Sequence, residues 1–372
     1  MALFLTCNAG SSSLKLALYQ LDSGVLRRLA ATNLDHPVDL PAALQGWWDA
    51  QTAALGSAAT APVAIAHRVV HGGDQFTQPV VIDPAVMASL WHLAPLAPLH
   101  QPAALGLIEA LAKTFPTTTQ IACFDTAFHQ TQPPLHRYLG LPQAMHQAGI
   151  KRYGFHGLSY QSIAGQLPQL LGKVAEGRVV VAHLGSGASL CAMHHRQSVA
   201  STMGFSALDG LLMATRCGSL DAGVVLHLLS QGYDQHRLTQ LLYKESGLLG
   251  VSGISGDMRD LEASPDPQAA EAIALFLHRA HQQLAAMVAS LGGIDALVFT
   301  AGIGQHSVMV RSRLCQAAAW LGIDLSEGVN AAANPDKPIV LSTASSRVVV
   351  AMIPTDEEAV MADAVARLPA AS

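Results

Sequence analysis

Three short stretches of the sequence combine small residues in a way that suits the binding of a phosphate group. They are residues 8–15 (NAGSSSLK), 185–187 (GSG) and 302–304 (GIG), and each follows an apolar run. Turns of glycine and serine let backbone N–H groups and hydroxyls approach an anion closely, and Lys15 adds a positive charge. The alternative for residues 8–15 is a serine-rich hairpin turn at a solvated edge. Because the Walker A and G-x-G-x-x-G motifs are absent, any nucleotide would depend on these turns.

The elements that must position these turns repeat along the chain. Residues 178–193 again run from an apolar strand through a small turn into a second strand, about 175 positions after the first such unit. Two β-rich halves that each open in this way predict a nucleotide held in a cleft between them. Pro133, Pro134 and Pro142 mark the junction of the halves.

Apolar periodicity and breakers predict the elements between the turns. Strands are expected at 63–70, 120–124 and 348–353, and helices at 84–93, 103–113, 208–216, 221–229 and 269–291. Two more helices are expected to begin beside an N-cap residue, which is Ser159 in one case and Thr355 in the other.

Composition limits the classes of function. The chain has 372 residues, half of them hydrophobic and 13% charged, with a net charge of −5 and no basic run. These values predict two domains with a large core, and they argue against nucleic acid or an anionic membrane as a partner. Five scattered cysteines without a C-x-x-C pair, and the absence of a long apolar run, are typical of a cytoplasmic protein. The 17 histidines include His67 and His71, which we interpret as hydrogen-bonded or surface residues rather than metal ligands.

Eight motifs, in one order and over nearly the whole chain, resemble those of the acetate kinase family. They are 8–15 (NAGSSSLK), 67–73 (HRVVHGG), 124–129 (FDTAFH), 153–157 (YGFHG), 201–205 (STMGF), 215–216 (TR), 253–260 (GISGDMRD) and 299–304 (FTAGIG). That family belongs to the actin/hexokinase-type ATPases, so the resemblance implies an α/β fold of two duplicated RNase H-like domains with a cleft between them. It places an N-terminal domain at 1–130 plus a C-terminal helix at about 357–372, and a nucleotide-binding domain at 131–356.

The resemblance implies a reversible transfer of the γ-phosphoryl group of ATP to acetate, which gives acetyl phosphate and ADP and needs Mg²⁺, or Mn²⁺ as the alternative. Such a transfer depends on positioning and charge neutralisation. Arg68 would bind the substrate carboxylate, and Arg216 and His156 would bind the equatorial oxygens of the phosphoryl group. Asp125 occupies the position of the family's catalytic acid/base. Because a short carboxylic acid is already ionised at neutral pH, we interpret Asp125 instead as a residue that orients the metal or a water, or aligns Arg68.

The remaining site residues also follow from family positions. Asn8 and Glu357 would hold the metal ion, with Glu358 as the neighbouring alternative. A small apolar acyl pocket is expected from Val70, Leu99 and Phe155. The residues expected to bind ATP are Lys15, Ser11, Ser13, His183, Leu184, Gly185, Ser186, Gly187, Asp257, Met258, Arg259, Gly302, Ile303, Gly304, Gln305 and His306.

Several positions depart from the family pattern. Serine replaces asparagine at 186 and aspartate at 219, alanine replaces proline at 207 and 222, glutamine replaces asparagine at 101, and 305–306 reads QH where EN is usual. Because Ser186 is shorter and carries one donor where an amide carries two, we expect weaker binding of ATP or phosphate with the chemistry retained.

Three alternatives to an acetate kinase stay open. They are a propionate or other short-chain acyl kinase, a divergent nucleotide-binding homologue without activity, and a sugar kinase of the same superfamily. An apolar pocket discriminates one methylene group by only about 1–3 kcal/mol, which leaves acetate against propionate undecided. The resemblance and the apolar composition favour a homodimer.

Overall fold

The computed structural model describes residues 2–9, 13–22, 25–35, 40–56 and 61–367. The chain divides into two compact units, Met1–Gln130 with Asp356–Ser372, and Thr131–Thr355. We call them the first and the second unit. Each is built on a mixed six-stranded sheet over the described residues, so the α/β class is confirmed. None of the helices in these ranges is long and apolar enough to cross a membrane.

Over the described ranges the chain forms the following strands and helices, each numbered in chain order. The strands are β1 (Ala2–Ala9), β2 (Ser13–Asp22), β3 (Val25–Asp35), β4 (Ala64–Val69), β5 (Val80–Val81), β6 (Thr119–Phe124), β7 (Arg178–Leu184), β8 (Ala188–His194), β9 (Gln197–Ser201), β10 (Ala296–Thr300), β11 (Ile339–Val340) and β12 (Val349–Met352). The α-helices are α1 (Leu40–Ala54), α2 (Pro84–His92), α3 (Gln101–Thr114), α4 (Pro134–Arg137), α5 (Gln143–Gln147), α6 (Gly157–Leu171), α7 (Ala222–Ser230), α8 (Gln235–Lys244), α9 (Gly247–Ser252), α10 (Met258–Ala263), α11 (Pro267–Leu291), α12 (Ala301–His306), α13 (Val308–Ala317), α14 (Glu327–Ala332) and α15 (Glu357–Arg367).

The two sheets have the same strand order and the same strand directions. The first runs β3-β2-β1-β4-β6-β5 and the second β9-β8-β7-β10-β12-β11. In each, the first three strands in chain order are antiparallel neighbours and the next pairings are parallel, with one antiparallel strand at the far edge. Each sheet also has an irregularity between its second and third strands, at Leu18/Tyr19 and at Ala192/Met193. The duplication expected from the sequence is therefore present in the topology.

The central strands are apolar because both of their faces are covered. The side chains of β7 from Val179 to Leu184 are buried, and β1 is buried over six of its eight residues. In the first unit α15 packs on β1 and β4, while in the second unit α11 packs on β8 and β9. Trp48 on α1 is fully buried and meets Phe115 edge to face. These layers hold the carboxyl ends of the parallel strands in place.

Three sequence-based expectations were wrong. Residues 208–216 form an irregular loop rather than a helix, because Gly210 adopts a φ of 98° and its N–H bonds to side chains instead of a helical carbonyl. Helix α6 begins at Gly157 with His156 as its N-cap residue, and Ser159 bonds to His183 instead of capping. The first turn of α15 is capped by Asp356, whose carboxylate accepts from the N–H of Ala359 at 2.9 Å, and not by Thr355.

Candidate active site

In the first unit, the functional candidates lie where the parallel strands end. Asn8 is near the end of β1, Arg68 is in β4, and Asp125 directly follows β6. Because β1, β4 and β6 are parallel neighbours, their carboxyl ends meet at one edge of the sheet, where ligands bind in open α/β sheets. Glu357 and Glu358 reach the same edge from the first turn of α15.

Arg68 is held by a two-pronged contact with Asp125. Its Nη2 donates to Oδ2 at 2.6 Å, and its Nε donates at 3.1 Å to each carboxylate oxygen. Its Nη1 donates to Oδ1 of Asn8 at 3.2 Å. One N–H on each Nη atom has no partner within the described part of the chain. The Arg68 side chain is 18% exposed and that of Asp125 only 2%, so Asp125 aligns a guanidinium that can still bind an anion.

The charges of this cluster stabilise one another. Burial raises the pKa of Asp125, and the guanidinium of Arg68 opposes that shift. Burial disfavours the charge of Arg68, but Asp125, Glu357 and Glu358 outweigh it and raise the pKa of Arg68. Three carboxylates therefore surround one guanidinium and leave an excess of negative charge.

Among the residues expected to hold a metal ion, Glu357 and its neighbour Glu358 offer carboxylate oxygens to a hard cation, while the Oδ1 of Asn8 also accepts from Arg68. Asn8 donates from Nδ2 to Oε2 of Glu357 at 2.7 Å and to Oε1 of Glu358 at 3.1 Å. Among the described residues no three His, Cys, Asp or Glu side chains form a metal-binding group. Mg²⁺ usually takes only one or two carboxylates and completes its shell with waters and phosphates. The oxygen-rich, negatively charged pair of glutamates matches that requirement.

Lys15 lies opposite Asn8 in the β1–β2 pair. Directly opposed residues place their side chains on one face of the sheet, so the exposed Lys15 leaves the sheet on the side of the Asn8 side chain. Ser11 and the side chain of Ser13 lie outside the described residues. Val70 is buried directly after β4, and Leu99 is half-buried shortly before α3.

In the second unit, His156 adopts the left-handed backbone conformation. Its φ is 59°, a value that is uncommon outside glycine, although asparagine, aspartate and histidine adopt it more often than other residues. Its Nδ1 lies 2.8 Å from the Oγ of Ser189, and its ring stacks on that of His183 with the centroids 4.2 Å apart. His183 in turn bonds to Ser159 through Nδ1 at 2.8 Å. Phe155, next to His156, is buried.

Arg216 and His156 converge on Gly187. A Cβ atom at residue 187 would lie 2.9 Å from Nη2 of Arg216 and 3.3 Å from Nε2 of His156. Only glycine leaves room for both groups at this distance. The other arm of Arg216, Nη1, donates to the carbonyl of Ala207 at 2.6 Å. A guanidinium and an imidazole brought together over a backbone turn form a donor set for an anion.

The loop that carries Arg216 is anchored through Asp209. Arg152 donates to one Asp209 oxygen at 3.0 Å, and the hydroxyl of Ser219 donates to the other at 2.7 Å. An aspartate at 219, as in the family pattern, would place two carboxylates together. The serine at this position instead makes a hydrogen bond.

Apart from Ser11, Ser13 and Lys15 of the first unit, the positions expected to bind ATP form three groups in the second unit. The turn 185–187 is bound to the Arg216 loop, because the N–H of Ala214 donates to the carbonyl of Ser186 at 3.0 Å. Gly302, Ile303, Gly304, Gln305 and His306 lie in α12, where the Gln305 amide donates to the carbonyl of Pro335. Asp257 caps α10 and pairs with the exposed Arg259, which lowers the pKa of Asp257. The side chains of Leu184 and Met258 are buried in the core.

Sequence reasoning missed the hydroxyl groups behind His156. Tyr160 follows His156 by four residues, which is one helical turn, and Ser189 lies opposite His183 in the β7–β8 pair. A helix start at Gly157 and the hairpin register would have placed both residues beside the imidazole rings.

The two sheets of identical topology, with donor groups at the carboxyl ends of their parallel strands, define a duplicated α/β fold of the actin/hexokinase ATPase type. Solved structures that match almost the whole chain are an acetate kinase from Porphyromonas gingivalis, 31% identical with a TM-score of 0.86 over 99% of this chain and 100% of that one, and a propionate kinase from Francisella tularensis subsp. tularensis SCHU S4, 31% identical with a TM-score of 0.87 over 98% and 99%.

Curated relatives agree with this class. An acetate kinase of Rhodopseudomonas palustris (strain TIE-1) is 54% identical over 307 residues, which are 82% of this chain and 77% of that protein. An acetate kinase of Nitrobacter hamburgensis is 43% identical over an alignment of 388 positions, gaps included, that covers 96% of this chain and 94% of that protein. The acetokinase family model matches residues 43–363. The chain belongs to the acetokinase family.

Proposed function

We propose that this protein is an acetate kinase, which transfers the γ-phosphoryl group of ATP reversibly to acetate and forms acetyl phosphate and ADP. The observation that carries the proposal is membership of the acetokinase family together with relatives of that name at up to 54% identity. The donor sets around Arg68 and around Arg216 support it, because phosphoryl transfer to a carboxylate needs anion-binding groups more than covalent chemistry.

Acetate is positioned by Arg68 in this proposal. The two Nη N–H groups that face away from Asp125 and Asn8 would bind the carboxylate, while Val70, Leu99 and Phe155 would contact the methyl group. Asp125 keeps the guanidinium in place through its contacts at 2.6 and 3.1 Å. No base is required, because acetate is ionised at neutral pH and its oxygen attacks phosphorus directly as the bond to the ADP oxygen breaks.

The phosphoryl group is bound by Arg216 and His156. Their Nη2 and Nε2 atoms face Gly187, and both would donate to the equatorial oxygens as negative charge shifts in the transition state. Lys15, Ser11, Ser13 and the backbone of 183–187 and 302–306 would bind the ATP phosphates. Asp257, Met258 and Arg259 would lie at the adenosine end.

Asn8 and Glu357 would hold Mg²⁺ or Mn²⁺, with Glu358 beside them. The ion would neutralise the charge of the β- and γ-phosphates. Asn8 contributes by orienting Glu357 and by linking this pair to Arg68.

The direct test is an assay of the purified chain with ATP, Mg²⁺ and hydroxylamine, which traps an acyl phosphate as a hydroxamate. Acetate, propionate and butyrate are supplied in separate reactions, and we expect the highest kcat/KM with acetate. A higher kcat/KM with propionate would favour a propionate kinase instead, consistent with the match to a propionate kinase structure. Hydroxamate formation from none of the three acids would contradict the proposal and favour a binding protein without activity.

We also propose a cytoplasmic homodimer. The cysteines are free, as in proteins of reducing compartments. Helix α7 carries no buried residue, and its apolar side chains Val224, Leu226 and Leu229 are exposed, Leu226 by 67%. Such a surface suits a second copy of the chain. Light scattering should give twice the chain mass for the wild type and the chain mass for Leu226→Glu, and a monomeric wild type would contradict the dimer.

A further inference from the structure

Two buried hydroxyl groups lie behind His156 and form a chain with it. The Tyr160 hydroxyl is 2.5 Å from the Oγ of Ser189, and that Oγ is 2.8 Å from Nδ1 of His156. Tyr160 and Ser189 are fully buried. Tyr160 lies one turn into α6 and its N–H donates to the carbonyl of His156. The helix therefore holds the tyrosine one turn away from His156, on the same side of the helix.

The chemistry of these groups determines which one donates in each of the two hydrogen bonds. Burial raises the pKa of Tyr160 well above its ordinary value, so the phenol keeps its proton. A phenol is more acidic than an aliphatic alcohol and is the better donor of the two. Ser189 has one hydrogen and two lone pairs. When Ser189 accepts from Tyr160, its own hydrogen points to Nδ1 of His156, which leaves the proton of a neutral imidazole on Nε2.

The opposite side of the ring faces the site. Nε2 is the atom that comes within 3.3 Å of a Cβ position at Gly187, beside Nη2 of Arg216. The ring is held laterally by His183, stacked at 4.2 Å, and His183 is fixed by Ser159. Among the described residues, the titratable or charged groups around His156 include Tyr160 from α6, His183 from β7 and Arg216 from its loop, with Cys191 of β8 near Tyr160.

We propose that Tyr160 and Ser189 are positioning residues that hold His156 as the Nε2-protonated tautomer, ready to donate a hydrogen bond to the transferred phosphoryl group. This inference rests on the proposed function for the identity of the acceptor. The hydroxyl chain makes Nδ1 an acceptor and opposes a second proton on the ring, so the imidazole stays neutral and donates from one atom only.

The test combines NMR of the full chain with kinetics. Nitrogen-15 spectra of the histidine rings, with the His156 signals assigned by their loss in His156→Gln, read the tautomer directly. We expect Nδ1 unprotonated and Nε2 protonated in the wild type. In Tyr160→Phe and Ser189→Ala we expect His156 to titrate at a higher pH, and kcat to fall about tenfold, the scale of one hydrogen bond, with KM for both substrates within a factor of two.

Tyr153→Phe is the matched control, because it removes a tyrosine hydroxyl that bonds to the Gly149 carbonyl instead. It should behave as the wild type. A proton on Nδ1 of wild-type His156, or an unchanged His156 titration in Tyr160→Phe, would overturn the inference, as would an unchanged kcat. If the wild-type tautomer and the shifted titration are found but no acyl phosphate forms, the proposed function fails while the hydroxyl chain stands. The wild-type spectrum decides the tautomer even if Ser189→Ala does not fold.

Discussion

The two units share one sheet topology and differ in the chemistry at its carboxyl edge. Positions in the two sheets can be matched through the residue pair that closes the first hairpin of each unit. These pairs are Ala9 with Leu14 and Leu184 with Ala188. Asn8 then corresponds to His183, and Lys15 to Ser189. Through the parallel pairings, Arg68 corresponds to Thr300. A cluster of charges in the first unit is thus matched by uncharged donors and acceptors in the second.

This difference shows which features a duplicated fold retains and which it leaves variable. The strand order and the irregularity between second and third strands recur, because they are set by packing and register. The side chains at the strand ends differ between the units, although Asn8, His183 and Thr300 are all buried. The hairpin turns differ as well, with four residues between Ala9 and Leu14 and three between Leu184 and Ala188.

The largest effects should come from the two arginines. Arg68→Ala removes the proposed carboxylate-binding group and leaves Asp125 buried without its partner, while Arg216→Ala removes a proposed donor to the phosphoryl oxygens. Each should lower kcat/KM by about 10³-fold in the hydroxamate assay. Arg68→Ala should also raise KM for acetate, whereas Arg216→Ala should lower kcat mainly.

Arg237→Ala is the control for both variants, because this exposed arginine also pairs with a carboxylate, that of Glu245. It should keep wild-type activity. If KM for acetate were raised in Arg216→Ala and not in Arg68→Ala, the division of roles between the units would be wrong.

Gly187→Ala should be the next most damaging change. The added Cβ would lie 2.9 Å from Nη2 of Arg216 and 3.3 Å from Nε2 of His156, which forces both donors to shift. A misplacement of about 1 Å can cost about 10²-fold in rate. Because smaller shifts relieve these contacts, we expect kcat to fall about tenfold. Gly165→Ala, in α6 with nothing near its Cβ position, should be neutral. Wild-type kcat in Gly187→Ala would show that this convergence has no part in the reaction.

Acid should destabilise the first unit through two buried histidines. Burial lowers the pKa of His67 to about 4, against a weaker opposing effect of Gln120, and lowers that of His71 to about 4, against Asp74. Because both are neutral when folded and have a pKa near 6.5 when unfolded, the unfolded state binds more protons between pH 6.5 and 4. The contribution of the two neutral histidines to the free energy of unfolding is therefore complete above pH 6.5. It falls as the pH decreases, by about 2 kcal/mol for each histidine between pH 7 and 5.

Urea unfolding followed by tryptophan fluorescence measures this effect, since Trp47, Trp48 and Trp91 belong to the first unit. His67→Gln should have roughly half of the wild-type pH dependence. A free energy of unfolding that is constant from pH 7 to 5 would mean that these two side chains take up protons in the folded state over the same pH range as in the unfolded state.

The smallest effect is expected at Ser186. Its side chain is exposed and its carbonyl is bound to Ala214, so Ser186→Asn should add a donor without disturbing the turn. One additional hydrogen bond should lower KM for ATP by about two- to tenfold and leave KM for acetate unchanged. An equal or higher KM for ATP would reject the hypothesis that serine weakens nucleotide binding here.

Much of the fold could be predicted because its signals are local. Apolar runs ending in glycine-rich turns located β1, β7 and β10, and periodicity located α2 and α11. Strand β3 was missed because its sequence, with Arg27, Arg28 and Asn33, lacks an apolar run. The helix expected at 208–216 was wrong because Ser206, Asp209 and Ser219 bind the backbone there, and apolar periodicity does not show such hydrogen bonds.

The candidate site was predictable as a set of residue types but not as a set of contacts. Family positions supplied Arg68, Asp125, His156 and Arg216. The pairing of Arg68 with Asp125 depends on the register of β4 and β6, and the approach of Arg216 to Gly187 depends on a loop without regular structure. The roles of these residues stay predictions until they are measured.

The most direct measurement of the central claim uses acetate labelled with ¹⁸O in both carboxyl oxygens. The chain is incubated with ATP, Mg²⁺ and this acetate, the product is cleaved with hydroxylamine at its carbonyl carbon, and the released phosphate is examined by ³¹P NMR. If a carboxylate oxygen attacks the γ-phosphorus, each released phosphate carries one ¹⁸O atom. Phosphate without ¹⁸O, or label found in AMP, would contradict the account.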